Sequence, residues 1–225
     1  MKKINTLYVQ FQNEIKNTEI GLFRGAILNK LGDAPILFHN HLGNNYRYSY
    51  PLIQYKRIHG KAAIICMKEG TEEIGNLFAA TDFCLRIGNR TENMEIASVK
   101  AQQTLISLWD SLFTYRLNRW LPLNEENYAK YQELDGIVEQ FSFLEKKLTG
   151  NILSFAKGLG LHFEDKVTCK IIEAENPYYI NYKGVKMMSL NIRFKTNVSL
   201  PEYIGLGKGA SLGNGIITKW GKKEA

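Results

Sequence analysis

Hydrophobic and polar residues alternate from residue 4 to residue 10, a pattern that predicts a β-strand. A helix is predicted next, because apolar residues recur at helical spacing between an N-cap at Thr18 and a stop at Gly32. In the rest of the first half we predict two strands at Ile53–Ile58 and Lys61–Met67. A short helix at residues 72–78 and a last strand at residues 82–87 follow. The two strands form a hairpin that turns at His59–Gly60. The first half therefore has the order βαββαβ.

A polar stretch at residues 91–103 predicts a boundary between two domains, 1–100 and 104–225. A second series follows, with Asn124 as the N-cap of an acidic helix. It is predicted as a strand, three helices and three strands, at residues 105–121, 125–131, 137–148, 151–159, 166–173, 186–198 and a last segment that ends at Trp220. Two such series predict an α+β protein made of two tandem ferredoxin-like domains.

The last strand follows a glycine-rich loop in residues 201–220, with Lys208 among glycines at positions 205, 207, 209, 213 and 215. Glycine permits positive φ, and successive exposed N–H groups form an anion site. Residues 176–223 carry eight Lys or Arg and a single acid, Glu202, so an anionic ligand is predicted. Walker A and Rossmann loops are excluded, because Gly209 follows Lys208 and no long helix follows the glycines. A flexible surface loop is the alternative.

No Asp or Glu occurs in residues 34–68. The span instead holds imidazole, phenol and cationic side chains: His39, His41, Tyr46, Arg47, Tyr48, Tyr50, Tyr55, Lys56, Arg57, His59, Lys61 and Lys68. Cations beside aromatic faces suit a polyanion whose bases stack, at ~1–3 kcal/mol per base, and whose binding weakens with salt. Tyr46, Tyr48 and Tyr50 would share one face of an extended strand. For Tyr50 and Tyr55 we favour ordinary packing within a sheet.

His39 and His41 form an HxH pair that is open to two interpretations. HxH is half of a metal site, but Asp33 is the nearest carboxylate, and a two-metal nuclease needs a carboxylate cluster. Without metal, one neutral and one protonated imidazole can act as general base and general acid near neutral pH. On RNA the base would take the 2′-OH proton and the acid would protonate the 5′-oxygen. The products would be a 2′,3′-cyclic phosphate and a 5′-hydroxyl, and DNA would stay uncut.

The 225 residues carry a formal net charge of +7 and are 44% hydrophobic, enough for a packed core. Cys66, Cys84 and Cys169 form no CxxC pair, so reduced cysteines in the core or in strands are predicted. The N-terminus lacks the apolar segment of a signal peptide, and no apolar run approaches the ~18 residues of a membrane span. We therefore expect a cytoplasmic protein with no membrane partner.

Three segments resemble the CRISPR repeat-processing endoribonucleases of the repeat-associated RNA-binding ferredoxin-fold group. They are LFHNHLGNNYRYSYPLIQYK at residues 37–56, RLNRWLPLNEENYAKYQEL at 116–134 and PEYIGLGKGASLGNGIITKW at 201–220. The HxH form is most similar to the subtype b branch. The resemblance implies two ferredoxin-like domains and cleavage of precursor CRISPR RNA within each repeat, with no metal or other cofactor. The product would be a guide RNA with a repeat-derived tag at its 5′ end.

The resemblance also implies roles for individual residues. It places a catalytic histidine at His39 or His41, and Tyr46 and Tyr48 are the nearest hydroxyl candidates. The lysine that some members use has no counterpart here, so Arg47 or the second histidine would stabilise the pentacovalent phosphate. The N-terminal domain would thus carry the catalytic pair, and the C-terminal domain would carry the glycine-rich loop that lies against RNA.

RNA contacts are expected from cations of both halves and from the glycine-rich loop. The candidates are Arg47, Lys56, Arg57, Lys186, Arg193, Lys195, Gly205, Gly207, Lys208, Gly209, Ser211 and Gly213. Repeat RNA is the expected partner, and CRISPR effector subunits and a second copy of the chain are further partners to test. A non-catalytic RNA-binding subunit of an effector complex is the alternative function, because such relatives share the fold and the loop.

Overall fold

The computed structural model describes residues 2–32, 41–42, 45–46, 50–79 and 82–221, with the backbone alone at 41–42 and 45–46. Contacts divide the chain into two units. The N-terminal unit consists of Lys3–Leu105 and Ser211–Gly213, and the C-terminal unit contains Ile106–Ala210 and the segment from Asn214 onward. Each unit has its own sheet.

The N-terminal unit is a ferredoxin-like βαββαβ fold with two added hairpins. Its elements are β1 (Lys2–Glu14), α1 (Ile20–Leu31), β2 (His41–Leu42), β3 (Asn45–Tyr46), β4 (Ile53–Ile58), β5 (Lys61–Met67), α2 (Gly70–Glu73), α3 (Gly75–Phe78), β6 (Cys84–Ile87), β7 (Arg90–Asn93) and β8 (Ile96–Ile106). Strands β4, β5, β1 and β8 form one sheet in that order, and β2 with β3 and β6 with β7 form the two hairpins. Because α1 connects β1 to β4, and α2 and α3 connect β5 toward β8, the order is the ferredoxin-like one.

Helix α1 packs on this sheet through one apolar face. Ile20, Phe23 and Ile27 are each at most 2% exposed. The Phe23 ring meets the rings of Phe11 and Tyr55 edge-on, at centroid distances of 5.8 and 6.0 Å. Such aromatic pairs add ~0.5–1.5 kcal/mol beyond the burial of their area. The predicted helical spacing is thus confirmed.

The start of α1 differs from the sequence prediction, and its end agrees with it. Thr18 is not an N-cap, because it lies inside a 3-10 turn, Asn17–Glu19, that leads into the helix. The Glu19 carboxylate accepts a hydrogen bond from the Lys16 N–H at 2.7 Å, so it satisfies a donor at the start of the turn. Gly32 follows the helix with a φ of 60°, as a C-terminal stop does.

The C-terminal unit repeats this order, with an irregular glycine-rich segment in the place of the second helix. Its elements are β9 (Leu108–Trp120), α4 (Glu125–Gln132), α5 (Ile137–Gly158), β10 (Cys169–Ala174), β11 (Tyr178–Tyr182), β12 (Val185–Val198) and β13 (Ile216–Lys219). Strands β10, β12, β9 and β13 form the sheet in that order, and β11 pairs with β12. The strand order is again ferredoxin-like.

Helix α5 covers one face of the C-terminal sheet. Leu144, Leu148, Ile152 and Phe155 lie at helical spacing and are at most 1% exposed. The sequence predicts two helices here with a break near residue 150, but α5 is continuous. Glycine inside a helix costs only about 1 kcal/mol relative to alanine, and burial of this apolar face outweighs it.

Two further sequence predictions about strands need correction. Residues 91–103, predicted as the boundary between two domains, lie mostly in β7 and in β8, which forms one edge of the N-terminal sheet. Most of β8 is exposed, so its polar residues resemble a linker in sequence. The predicted strand at 105–121 is divided between β8 and β9, with Ser107 between them. Strand β11 is not predicted from the sequence.

The cysteine prediction is confirmed. Cys66, Cys84 and Cys169 are free thiols in strands, and the first and third are buried. Burial raises the pKa of the Cys66 thiol, which therefore stays protonated at neutral pH. Among the helices of the described residues, none has the length and apolar character needed to cross a membrane.

Candidate nucleic-acid interface

Two of the predicted catalytic positions fall on the short hairpin of β2 and β3. His41 and Tyr46 occupy facing positions of this antiparallel pair. Facing residues in such pairs have Cα atoms roughly 4.5–5.5 Å apart. His39, Arg47 and Tyr48 lie outside the described residues. The backbone thus brings two of the predicted positions together, and the catalytic roles of all of them stay predictions.

Tyr50 and Tyr55 pack within the N-terminal unit, as the sequence favours. Tyr55 is 0% exposed and Tyr50 is 8% exposed. Burial raises the pKa of the Tyr55 phenol, which therefore stays neutral. Neither ring is available as a platform for a stacked base.

Lys56 is buried, which corrects its predicted RNA contact. It lies in the middle of β4 and is 0% exposed, so its ammonium group is not on the surface. Burial lowers the pKa of Lys56 to about 7, because removing the charged form from water is costly. Lys56 is therefore a buried titratable group and not a surface cation.

We expect the pH dependence of stability to reveal this buried lysine. In the unfolded chain lysine holds its proton up to a pKa of ~10.4. The unfolded state therefore binds more protons than the folded state above pH ~7, so the free energy of unfolding rises with pH there. Between pH ~7 and ~8.5, wild type should gain about 1.5 kcal/mol relative to Lys56→Met in urea titrations. The same pH dependence in both proteins would contradict this assignment.

Arg57 and His59 lie at the exposed end of the β4–β5 hairpin. The Arg57 Nε donates to the carbonyl oxygen of Ile15 at 2.7 Å, and the residue is exposed. His59 occupies the predicted turn with a φ of 50°, and Gly60 follows with a φ of 84°. The turn is confirmed, and the contact of Arg57 with RNA stays a prediction.

Two predicted cations lie on the face of the C-terminal sheet that α5 leaves uncovered. Lys195 of β12 is exposed and faces Lys170 of β10 across the ladder. Arg193 is engaged with protein groups: its guanidinium is 2.7 Å from the Glu173 carboxylate and 4.5 Å from the centre of the Trp220 ring. Lys195 is therefore the more accessible cation, while both RNA contacts stay predictions.

The glycines of the predicted loop are required by internal packing. Gly215 has a φ of 62°, and an added Cβ would lie 1.9 Å from the carbonyl oxygen of Leu206. At Gly213, in the N-terminal unit, the added Cβ would lie 2.4 Å from the Ile20 Cδ1. The Gly215 contact is with backbone, so no side chain fits there; the Gly213 contact is with a methyl group that can move, and its φ of 74° is what favours glycine. A flexible surface loop is therefore not what these residues form.

Accessibility divides the residues of this segment into two groups. Gly205 and Gly213 are buried, which corrects their predicted contacts with RNA. The others are partly or fully accessible, and their contacts stay predictions: Gly207, Lys208, Gly209 and Ser211. The carbonyl oxygen of Ser211 already accepts a hydrogen bond from the backbone N–H of Tyr55, at 2.8 Å. The accessible part of the segment consists of one cation and three small residues.

Comparison with known families covers both halves of the chain. Residues 2–105 match the Cas6b N-terminal domain, and residues 107–220 match the Cas6b C-terminal domain. The chain belongs to the Cas6b family. The resemblance to the CRISPR repeat-processing family, subtype b, is thereby confirmed. The family boundary near residue 106 agrees with the division of the Cas6b chain into its two structural units.

Solved structures and a curated protein are similar to this chain. A structure described as Cas6b superposes with a TM-score of 0.86 at 26% identity, over 97% of this chain and 100% of that one. A second, described as the CRISPR RNA processing endoribonuclease Cas6b, has a TM-score of 0.73 at 24% identity over 97% and 100%. The uncharacterized protein MJ0978 of Methanocaldococcus jannaschii is 35% identical over 111 residues, 49% of this chain and 74% of that protein. The two structures share the ferredoxin-like fold of this chain.

Lys186 of the Cas6b chain lies in a cleft of the C-terminal unit. The cleft measures about 860 Å³ and lies among the first turn of α4, the β11–β12 hairpin and Lys208. The Lys186 Nζ is 5.2 Å from the centre of the Tyr179 ring, and the Tyr179 hydroxyl is 2.8 Å from the Tyr128 hydroxyl. Two predicted RNA-binding cations, Lys186 and Lys208, therefore line one concave surface.

Sequence reasoning missed two exposed aromatic residues of this Cas6b chain. Tyr179 is 48% exposed and Trp220 is 50% exposed. The β-prone residues at Tyr178–Tyr182 could have predicted a strand that exposes Tyr179. The position of Trp220 next to cation-rich strands could have marked it as a residue of the same surface. Within the described residues, no group of three or more His, Cys, Asp or Glu is arranged to hold a metal ion.

Proposed function

We propose that this Cas6b chain is an endoribonuclease that cuts precursor CRISPR RNA within its repeats without a metal ion. The observation that carries the proposal is the family match over both domains. A similar structure is itself described as a CRISPR RNA processing endoribonuclease. The N-terminal domain, residues 1–100, would supply the HxH pair, and the C-terminal domain, residues 104–225, would supply RNA contacts.

The proposed reaction is a transesterification that RNA makes possible. One imidazole of His39 or His41 accepts the 2′-OH proton, and the 2′-oxygen attacks the adjacent phosphorus. The bond from phosphorus to the 5′-oxygen breaks, and the other imidazole of the pair protonates that oxygen. The products are a 2′,3′-cyclic phosphate and a 5′-hydroxyl. Each positioned proton transfer contributes ~10²–10⁴-fold.

The polyanion would be held by exposed cations of both units. Lys195 and Lys208 are exposed and make no ion pair with a described residue. Arg57 adds a cation in the N-terminal unit. Each phosphate that a cation neutralises releases condensed counterions, so binding should weaken steeply as salt rises.

We expect Lys208→Gln to weaken binding and to lower its salt dependence. Loss of one phosphate contact reduces the slope of log affinity against log salt by about 0.7–0.9. Fluorescence anisotropy with repeat RNA at several salt concentrations measures this slope. Lys146→Gln is the matched control, because that lysine is exposed on α5 and lies outside the cleft that Lys208 lines. Equal slopes in wild type and Lys208→Gln would remove Lys208 from the RNA contacts.

The proposed function is tested with repeat RNA in excess chelator. We expect cleavage at one position in each repeat, and end analysis of the products maps the scissile bond. Tight binding without cleavage would instead favour a non-catalytic RNA-binding subunit of an effector complex. Cleavage that stops when the chelator is added would show that the reaction needs a metal ion. Pull-down with effector subunits and light scattering would test the remaining partners, including a second copy of the chain.

A further inference from the structure

We propose that the α4–β11–β12 cleft binds one unpaired nucleotide of the substrate RNA, with its base against Tyr179 and its phosphate at Lys186 and Lys208. The inference rests on the proposed function, because it names how that substrate is held. All residues of the cleft belong to the C-terminal unit. Its volume of about 860 Å³ lies within the ~300–1,000 Å³ of ordinary small-ligand sites.

Tyr179 has the properties of a stacking platform. Nearly half of its surface is exposed, and its hydroxyl is held by the Tyr128 hydroxyl at 2.8 Å. The Gln132 amide donates to the same Tyr128 hydroxyl at 3.2 Å, so the ring is fixed from helix α4. A ring oriented before binding loses little conformational entropy when a base stacks on it.

The cations of the cleft are placed for a phosphate. The Lys186 ammonium lies over the Tyr179 ring, 5.2 Å from its centre, so a base on this ring has a positive charge beside it. Lys208 enters the cleft from the glycine-rich segment. Neither lysine forms an ion pair with a described residue, so no described carboxylate competes with an incoming phosphate.

Carboxylates in the same cleft favour a nucleotide over phosphate alone. Glu125 and Glu126 line the cleft from the first turn of α4, and Lys130 pairs with Glu126 at 2.6 Å. A carboxylate repels phosphate but accepts hydrogen bonds from the amino groups of adenine, cytosine or guanine. Met187 and Met188, 6% and 5% exposed, also line the cleft.

An abasic scan coupled to mutation tests this site. Each nucleotide of a repeat RNA is replaced in turn by an abasic one, and affinity is measured for wild type and Tyr179→Ala. A 2′-deoxy nucleotide at the scissile position keeps the RNA intact. We expect one abasic position to weaken binding by about tenfold in wild type and to have no effect in Tyr179→Ala, since the stacking partner is already lost. Lys186→Gln should weaken binding of the unmodified RNA and reduce its salt dependence.

Tyr178→Ala is the matched control, because its side chain lies on the other face of β11 and outside the cleft. It should keep the abasic effect of wild type. If no abasic position behaves differently between wild type and Tyr179→Ala, the nucleotide site is excluded. This outcome is separate from failure of the proposed function, which would appear as wild type that does not cleave unmodified repeat RNA at all.

Discussion

Cleavage of repeat RNA is expected to fall by ~10²–10⁴-fold when His39 or His41 is replaced by alanine. Each imidazole is proposed to move one proton in the transition state, either from the 2′-OH or to the 5′-oxygen. Alanine can neither accept nor donate a proton. The double variant should lose less than the product of the two single losses if the histidines act on the same step.

Single-turnover cleavage rates in excess chelator measure this prediction, with RNA affinity determined separately by anisotropy. Affinity should change by much less than the rate, because the imidazoles act mainly in the transition state. His59→Ala is the matched control, since that histidine lies in the exposed turn between β4 and β5. Undiminished cutting by the double variant would remove the HxH pair from the mechanism.

The second large effect is expected on stability, from Gly215→Ala. A φ of 62° is unfavourable for alanine by ~1–2 kcal/mol. The added Cβ would also lie 1.9 Å from the Leu206 carbonyl oxygen, so the backbone must move. That movement would break two hydrogen bonds, from Leu206 N–H to Gly215 at 2.8 Å and from Gly215 N–H to Arg119 at 2.9 Å. With ~0.5–1.5 kcal/mol for each bond, the total loss should be about 2–5 kcal/mol.

Urea unfolding followed by circular dichroism measures this loss, and Gly184→Ala provides the control. Gly184, in the turn between β11 and β12, also has a positive φ, 81°, but an added Cβ there would meet nothing within 4 Å. Its substitution should cost only the backbone strain, ~1–2 kcal/mol. Equal losses in the two variants would mean that the packing around Gly215 contributes nothing beyond its φ.

The sequence predicts correctly those elements whose positions depend on residues close to one another in the chain. Helix α1 follows from apolar spacing, the β4–β5 hairpin from its His59–Gly60 turn, and the start of α4 from Asn124, whose side chain accepts from the Asn127 N–H at 2.9 Å. Strand β8 was missed because an exposed edge strand is polar along both faces, as a linker is. Strand assignment there depends on the partner β1, which is distant in sequence.

The site predictions failed where burial depends on distant parts of the chain. From the sequence, Lys56 is expected to be a surface cation among aromatic residues, but both faces of β4 are covered. The glycine-rich segment reads as a backbone that approaches a ligand, yet the missing Cβ atoms of Gly213 and Gly215 make room for Ile20 and for Leu206. The sequence alone does not tell whether a ligand or another part of the chain lies against a glycine; at these two positions the structure shows that it is the chain.

In the proposed mechanism imidazoles drive the 2′-oxygen onto its own phosphorus, and one 2′-deoxy nucleotide at the scissile position tests this step. This RNA should bind with unchanged affinity and stay uncut in excess chelator, while the unmodified RNA should yield a 2′,3′-cyclic phosphate and a 5′-hydroxyl. Cleavage of the 2′-deoxy RNA at the same bond would contradict it, because an external nucleophile would then be doing the chemistry.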